Sequence, residues 1–177
     1  MHGNGRAVSA PDLQALADRQ AIADVIYRYC RAVDRLDHEL GYSIWHEDGE
    51  ADYGEGGYRG SGRGFIDGVI EQHRRTLGHS HQVTNILLEL AGDRAASESY
   101  FTAALRIDRN GQVNEIRVGG RYLDTWSRRG GRWAIDRRIA LRDFQSMTPI
   151  VAADGDPRSR RDRDDPSYAM FAAIADS

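Results

Sequence analysis

Asp34, His79 and His81 have the residue types and spacing for acid–base chemistry in this chain of 177 residues. Asp34 ends a predicted helix, where a carboxylate is unfavourable for the helix dipole; a solvated loop position is the alternative. His79 and His81 are two residues apart, which on a strand puts both side chains on one face, about 7 Å apart. A metal site, a general base and a polar strand end are all open for these histidines. We expect no metal, because no carboxylate or third histidine nearby has an obvious ligand spacing.

The last predicted strand carries three arginines that could meet a charged group. Alternation puts four apolar residues on one face of this strand: Trp133, Ile135, Ile139 and Leu141. Arg137 is then a charge on the apolar face, whereas Arg138 and Arg142 share the opposite face with Asp136. Because Arg138 and Arg142 are about 13 Å apart along a strand, at most one of them contacts a given reacting atom.

Aromatic residues could line either the core or a cavity, where a tyrosine hydroxyl can polarise a carbonyl or position water. The candidates are Tyr29, Trp45, Tyr53, Tyr100, Tyr122 and Trp126.

Composition excludes several classes of protein. All 24 basic residues are arginine, so the chain cannot be a Schiff-base aldolase, a pyridoxal enzyme or a Walker-type nucleotide binder, which all need a lysine. A net charge of -3 argues against a general nucleic-acid binder, and we expect a small ligand. Cys30 is the single cysteine, so no internal disulfide forms. No apolar run approaches the roughly 18 residues of a membrane span and no signal-peptide core is present, so we expect a cytoplasmic protein with no membrane partner.

The elements that must position these residues follow from periodicity. Apolar residues at helical spacing predict a long helix from Pro11 to Asp34, a short one that includes Trp45, and a third over residues 65–77. The Gly-rich segment 50–64 predicts an irregular hairpin. Four strand-like runs follow, separated by tight-turn signals: His79–Leu90, Ser97–Asp108, Asn114–Ser127 and Arg132–Phe144. Helices followed by a long antiparallel sheet indicate an α+β fold.

The two ends of the chain differ from the middle. Residues 1–10 are predicted to be a flexible terminus, 11–150 the domain, and 151–177 a charged linker and tail. The run from Asp154 to Asp165 has five aspartates and four arginines, typical of a solvated linker. The final SYAMFAAIADS is apolar enough to dock, either on the pocket as a lid or on a neighbouring subunit.

Several segments resemble the SnoaL-like branch of the nuclear transport factor 2 superfamily: IADVIYRYCRAVD, SIWHEDGEADY, GHSHQVTNILLEL, GGRYLDTWSRRGGRWAI and RDDPSY. The resemblance covers roughly residues 13–147. It implies a cone in which helices pack against a strongly curved antiparallel sheet around an internal pocket. Relatives in this superfamily assemble as dimers, trimers or larger oligomers, so we expect a homo-oligomer.

The resemblance also assigns roles to residues. Scytalone dehydratase, a hexachlorocyclohexane dehydrochlorinase and a bile-acid dehydratase pair a helix-end aspartate with a histidine that opens the first long strand. Asp34 and His81 match that pair. Tyr29 and Tyr53 match family tyrosines, and the family arginine falls at Arg138 in one pattern and at Arg142 in another. We assign Asp34, His81 and Arg138 to catalysis, with these substrate contacts: Tyr29, Trp45, Tyr53, His79 and Arg142.

The implied reaction is proton abstraction with elimination, or isomerisation, on a hydrophobic hydroxylated or carbonyl-bearing molecule such as a polyketide, an aromatic or a steroid-like compound. No cofactor is required. A second acidic residue of the bile-acid pattern is replaced by Ala103, which argues against bile-acid chemistry. Three alternatives stay open: an epoxide-hydrolase-like enzyme that uses Asp136 and Arg138, a non-catalytic small subunit of a ring-hydroxylating dioxygenase, and a ligand-binding module.

Overall fold

Helices pack on one side of a curled, unclosed six-stranded sheet in the computed structural model, which describes residues 10–151 and 155–175. The elements, in chain order, are α1 (Ala10–Asp34), α2 (His38–Ser43), β1 (Trp45–Asp52), β2 (Arg59–Ser61), α3 (Gly62–Arg74), β3 (Gly78–Ala91), β4 (Arg94–Arg109), β5 (Gln112–Arg129), β6 (Arg132–Pro149) and α4 (Pro166–Ala175). Residues 1–9 of the predicted flexible terminus lie outside the described residues. None of the helices in the described ranges is long and apolar enough to cross a membrane.

The sheet has the order β2-β1-β6-β5-β4-β3. Consecutive long strands pair antiparallel through two-residue turns; at the β4–β5 turn Asn110 and Gly111 have φ values of 56° and 81°, as a type I′ turn requires. The predicted α+β class is confirmed. β1 is the exception to antiparallel pairing, because it runs parallel to β6, with Trp45 opposite Ile135.

Trp45 begins this parallel strand, so the prediction that it belongs to a short helix was wrong. Helix α2 ends at Ser43, and Ile44 follows as its cap. The error has a physical cause: the partner of β1 lies about ninety residues further along the chain, so the local apolar spacing around Ile44 carries no sign of it.

The core lies between α1, α3 and the concave face of the sheet. Ile22, Ile26, Tyr29 and Val33 form the buried stripe of α1 at helical spacing. Helix α3 begins at Gly62, where the Ser61 hydroxyl caps it by accepting from the Gly64 N–H at 3.1 Å.

Gly62 lies directly against the Trp45 ring, since a Cβ added to Gly62 would be 2.1 Å from Trp45 Cδ2. We expect Gly62→Ala to lower the free energy of unfolding by about 1–3 kcal/mol, the usual cost of overpacking a filled core. Gly68→Ala is the matched control in the same helix. It meets no atom within 4 Å, so it should raise stability by roughly 0.5–1 kcal/mol through helix propensity. Urea denaturation measures the free energy of unfolding of both variants. Equal changes of the same sign in the two variants would contradict the packing argument.

The tail docks on its own chain at the turn between α1 and α2. The Tyr168 hydroxyl donates to Asp37 Oδ2 at 2.8 Å, and Arg163 Nη2 donates to Asp37 Oδ1 at 3.2 Å. Arg31 donates to Ser167 Oγ at 3.0 Å and lies over the Tyr168 ring at 4.6 Å. The end of the charge run is therefore tied to the domain at Arg163, whereas residues 155–160 are exposed. Assembly of several chains stays a prediction.

Candidate active site

Asp34 and His81 form a nearly enclosed pair between the end of α1 and the start of β3. His81 Nδ1 lies 2.7 Å from Asp34 Oδ1, and the His81 backbone N–H donates to Asp34 Oδ2 at 3.0 Å. The two side chains are 7% and 14% exposed, His81 being the lower. With a carboxylate on Nδ1, the proton sits on that nitrogen and Nε2 keeps its lone pair. No hydrogen bond from the described residues occupies Nε2.

Helix α1 ends in a way that turns Asp34 toward β3. Leu36 adopts the left-handed conformation at φ 54°, and the Asp37 N–H donates to the Ala32 carbonyl at 2.9 Å, which closes the last turn. The two hydrogen bonds from His81 offset the unfavourable position of the Asp34 carboxylate at a helix C-terminus. His79 Nε2, at 2.9 Å, donates to the Val33 carbonyl in the last turn of α1, which also accepts from the Leu36 N–H at 3.4 Å.

Three histidines meet at this junction. The ring of His73 on α3 lies 4.3 Å from the His79 ring and 5.2 Å from the His81 ring. Burial, followed by unfavourable electrostatic interactions with His81, His79 and Arg161, lowers the pKa of His73 to about 3, so this side chain is neutral. His73 was not predicted as a site residue; its place on the apolar stripe of α3 was the available signal. The structure places the predicted His79 against Val33, in a supporting position beside the pair.

Arg138 lies fully buried inside the cone and is paired with Asp124. Its Nε and Nη2 donate to the two Asp124 carboxylate oxygens at 2.8 Å each. Burial alone disfavours the charged guanidinium, but the Asp124 carboxylate raises the pKa of Arg138 well above its ordinary value. Nη1 is buried and has no hydrogen-bond partner among the described residues. Asp124 was not predicted as a site residue. Its position between Tyr122 and Trp126 in the alternating series of β5 could have indicated a buried carboxylate.

A strand bulge explains which arginine faces inward. The β5–β6 register shifts between Thr125 and Trp126, so that Ile135 and Arg137 face consecutive β5 residues and Asp136 is the extra residue. Because of the extra residue, side chains after Ile135 point to the opposite face of the sheet from the one that simple alternation predicts. Arg138 therefore points into the core. Arg137 is exposed, with Nη2 3.9 Å from Asp52 Oδ2. The charge that simple alternation put on the apolar face is therefore on the surface.

Arg142, the second family position, is exposed and donates to Gln145 Oε1 at 3.0 Å. The register slips again between Gly119 and Gly120, close to this residue. The structure does not bring Arg142 to the Asp34–His81 pair.

Aromatic rings surround Arg138 and connect it to the pair. Its Cζ lies 4.1 Å from the Tyr122 ring centroid and 4.6 Å from that of Tyr29, and the Tyr29 ring is 6.4 Å from the His81 ring. The Tyr29 and Tyr53 hydroxyls are 3.4 Å apart. Burial raises the pKa of all three tyrosines well above the ordinary value, so their hydroxyls stay neutral and can donate hydrogen bonds.

The other aromatic candidates have different places. Trp45 is buried behind Arg138, 6.0 Å from Cζ to the ring centroid. Trp126 is a core residue whose Nε1 donates to Ser97 Oγ at 2.9 Å, whereas Tyr100 is 45% exposed on the outside of the sheet. Phe101 stacks on Tyr122 with centroids 4.3 Å apart, which extends the apolar wall.

Little of the Asp34–His81 pair reaches the surface, since the two side chains are only 14% and 7% exposed. Three surface cavities of about 400 to 700 Å³ lie elsewhere, and Asp34, His81 and Arg138 line none of them. Within residues 10–151 and 155–175, no group of three or more histidine, cysteine, aspartate or glutamate residues is arranged to hold a metal ion.

A family model described as the SnoaL-like domain matches residues 14–139. The chain belongs to the SnoaL-like family. The predicted resemblance is thereby confirmed. A comparison with curated proteins gives no match.

Solved structures similar to this SnoaL-like chain share its fold. A LinA crystal structure is 25% identical with a TM-score of 0.70, and the alignment covers 82% of this chain and 98% of that chain. The hexachlorocyclohexane dehydrochlorinase LinA-type3 from Novosphingobium barchaimii LL02 is 23% identical with a TM-score of 0.69, covering 82% and 99%. A protein from Novosphingobium aromaticivorans DSM 12444 that is named for scytalone dehydratase is 22% identical with a TM-score of 0.67, covering 81% and 95%.

Proposed function

We propose that this SnoaL-like protein is a cofactor-independent lyase of the dehydratase type, or an isomerase, for a hydrophobic hydroxylated or carbonyl-bearing small molecule. The observation that carries the proposal is the 2.7 Å contact between Asp34 and His81 Nδ1, which leaves Nε2 as a proton acceptor. The names of the similar LinA and scytalone-dehydratase-type structures, which describe those proteins, agree with elimination chemistry.

In the proposed reaction His81 Nε2 removes a proton from the carbon next to a substrate carbonyl. The electron pair of that C–H bond forms the C=C bond as the C–O bond to the β-hydroxyl breaks. The hydroxyl leaves as water when the His81 imidazolium returns the proton. Asp34 holds the Nδ1–H tautomer throughout and stabilises the imidazolium, as the carboxylate of a catalytic triad does. Isomerisation uses the same first step and returns the proton to a different carbon.

Arg138 is suited to the negative charge that develops on the carbonyl oxygen. Its Nη1 is buried and has no hydrogen-bond partner among the described residues, and electrostatic interactions are strong in a buried site. The neutral hydroxyl of Tyr29, whose ring touches both Arg138 and the histidine cluster, can donate to the same oxygen. A ring of aromatic side chains favours a flat, apolar substrate, such as an aromatic, polyketide or steroid-like compound.

One alternative is an epoxide-hydrolase-like enzyme that uses Asp136, and the position of Asp136 does not favour it. Asp136 accepts from Ser127 Oγ at 2.8 Å and from Arg129 Nη2 at 2.5 Å, at the surface end of the bulge. It does not approach the interior pair. A dioxygenase small subunit and a ligand carrier remain the two non-catalytic rivals.

A panel of apolar β-hydroxy ketones tests the proposal. We expect the wild-type protein to convert at least one of them to the conjugated enone, seen as a new ultraviolet absorbance, and to exchange its α-proton with D2O by NMR. Binding of panel compounds without proton exchange would support a carrier instead. Copurification with a large iron-containing chain and no turnover would support the subunit, and conversion of an epoxide to a diol would support the hydrolase.

A further inference from the structure

Arg161 of the tail reaches the junction where α1, α3 and β3 meet. Its Nη1 donates to the His73 carbonyl at 3.0 Å, and its Nη2 donates to the Thr76 carbonyl at 3.0 Å. Nη1 also lies 3.1 Å from Thr76 Oγ1. These carbonyls end α3, where an arginine is favoured both as a donor and by the helix dipole. Arg161 thus connects a segment near the end of the chain to the place where the histidine cluster forms.

The same guanidinium faces one ring nitrogen of His79. Arg161 Nη1 lies 3.3 Å from His79 Nδ1. Nδ1 also lies 3.0 Å from the Thr76 hydroxyl. Because a guanidinium only donates, its position favours Nδ1 as an acceptor and the imidazole proton on Nε2. That Nε2–H then donates to the Val33 carbonyl at 2.9 Å. Val33 immediately precedes Asp34, so the series of contacts from Arg161 through His79 ends at the backbone that carries the carboxylate.

We infer that Arg161 is a positioning residue for the Asp34–His81 pair. It holds His79 in the Nε2–H tautomer, and His79 in turn holds the end of α1 beside β3. This role rests on the proposed function, because the pair it positions is the proposed base. Neither the family match, which ends at residue 139, nor the sequence pattern assigns a role to the tail arginine.

The charges around His79 agree with this arrangement. Burial lowers the pKa of His79, and unfavourable electrostatic interactions with His81 and Arg161 lower it further, while the Val33 carbonyl and Asp34 act in the opposite direction. The remaining titratable neighbour is His73 on α3, which is neutral. A protonated His79 would direct its Nδ1–H toward both the Thr76 hydroxyl and the Arg161 guanidinium, so the positive guanidinium favours the neutral ring.

Arg161→Gln tests the role by histidine-selective ¹⁵N NMR, with His79 signals assigned by their loss in His79→Asn. In the wild-type protein at pH 7 we expect His79 to show a protonated Nε2 and an unprotonated Nδ1. In Arg161→Gln we expect mixed tautomers and a titration midpoint moved upward, since a positive charge is gone. Arg158→Gln is the matched control from the same segment, because Arg158 pairs with Asp156; its His79 signals should equal those of the wild type.

An unchanged His79 tautomer and midpoint in Arg161→Gln would overturn the inference. If Arg161→Gln does not fold, Arg161→Lys should still give mixed tautomers but leave the titration midpoint near that of the wild type, because an ammonium keeps the charge but loses the rigid fork that spans Thr76 and His79. On a substrate found by the ketone panel, kcat should fall about tenfold or more with KM little changed, as for a displaced catalytic group. The NMR readout needs no substrate, so an inactive wild-type protein would overturn the proposed function without affecting the tautomer result.

Discussion

Replacing His81 with alanine is expected to lower turnover by about a hundredfold or more, because a positioned general base contributes roughly 10² to 10⁴ to the rate. Asp34→Asn should cost a comparable factor while the protein stays folded. In the wild type both Asp34 oxygens accept from His81, one from Nδ1–H and the other from the backbone N–H. An asparagine has a single acceptor oxygen, and the backbone N–H cannot change its role. The amide NH2 therefore faces Nδ1, moves the imidazole proton to Nε2 and removes the base.

A second aspartate–histidine pair supplies the control. His38 Nδ1 lies 3.1 Å from Asp67 Oδ1 at the surface between α2 and α3, with side chains 36% and 56% exposed. His38→Ala and Asp67→Asn make the same chemical changes away from the interior, and steady-state kinetics should show wild-type rates for both. Full activity of His81→Ala and Asp34→Asn, together with an inactive Asp136→Asn, would move the chemistry to β6 and favour the epoxide-hydrolase-like alternative.

The second large effect concerns stability. Asp124→Ala should lower the free energy of unfolding by about 3–5 kcal/mol, because it leaves the Arg138 charge buried without its counter-ion. Both side chains are 0% exposed, and both Asp124 oxygens accept from Arg138. The exposed partner in another ion pair, Asp93 opposite Arg128, is the control. Asp93→Ala should have a clearly smaller effect in the same urea titration, and equal losses would contradict the assignment of a buried, paired charge.

A double variant separates the structural and functional roles of this pair. Asp124→Leu combined with Arg138→Met replaces two buried charges by apolar side chains of similar size, which is often neutral for stability. We expect most of the stability lost in Asp124→Ala to return. If Arg138 stabilises charge in the transition state, turnover should remain low in the double variant while substrate binding changes less.

Local patterns carried most of the information about the strands. The start of β6 at Arg132 was predicted correctly, and β3 extends by one residue beyond the prediction at each end, Gly78 and Ala91. These boundaries coincide with tight turns, whose residues are set by backbone conformation. The parallel β1–β6 pairing and the extension of β6 to Pro149 depend on distant partner strands, which a local pattern does not contain.

The site was less accessible to such reasoning, because its members come from separate elements. Asp34 and His81 are 47 residues apart and were paired only through the family resemblance. Arg138 points inward because of a β-bulge, and simple alternation along the strand does not reveal a bulge. Asp124 and Arg161 were missed because each is defined by its partner, a buried guanidinium in one case and the end of α3 in the other.

The docking of the tail on the α1–α2 turn has a consequence for the order in which the protein folds. The ribosome makes the chain from its amino end, so Asp37 is synthesised 131 residues before its hydrogen-bond partner Tyr168. Helix α1 and the turn after it are therefore without these contacts until the segment that carries Tyr168 has been made. Closing so long a loop is slow and entropically costly, and the contacts that complete the neighbourhood of Asp34 form only after strands β1 to β6 have been made.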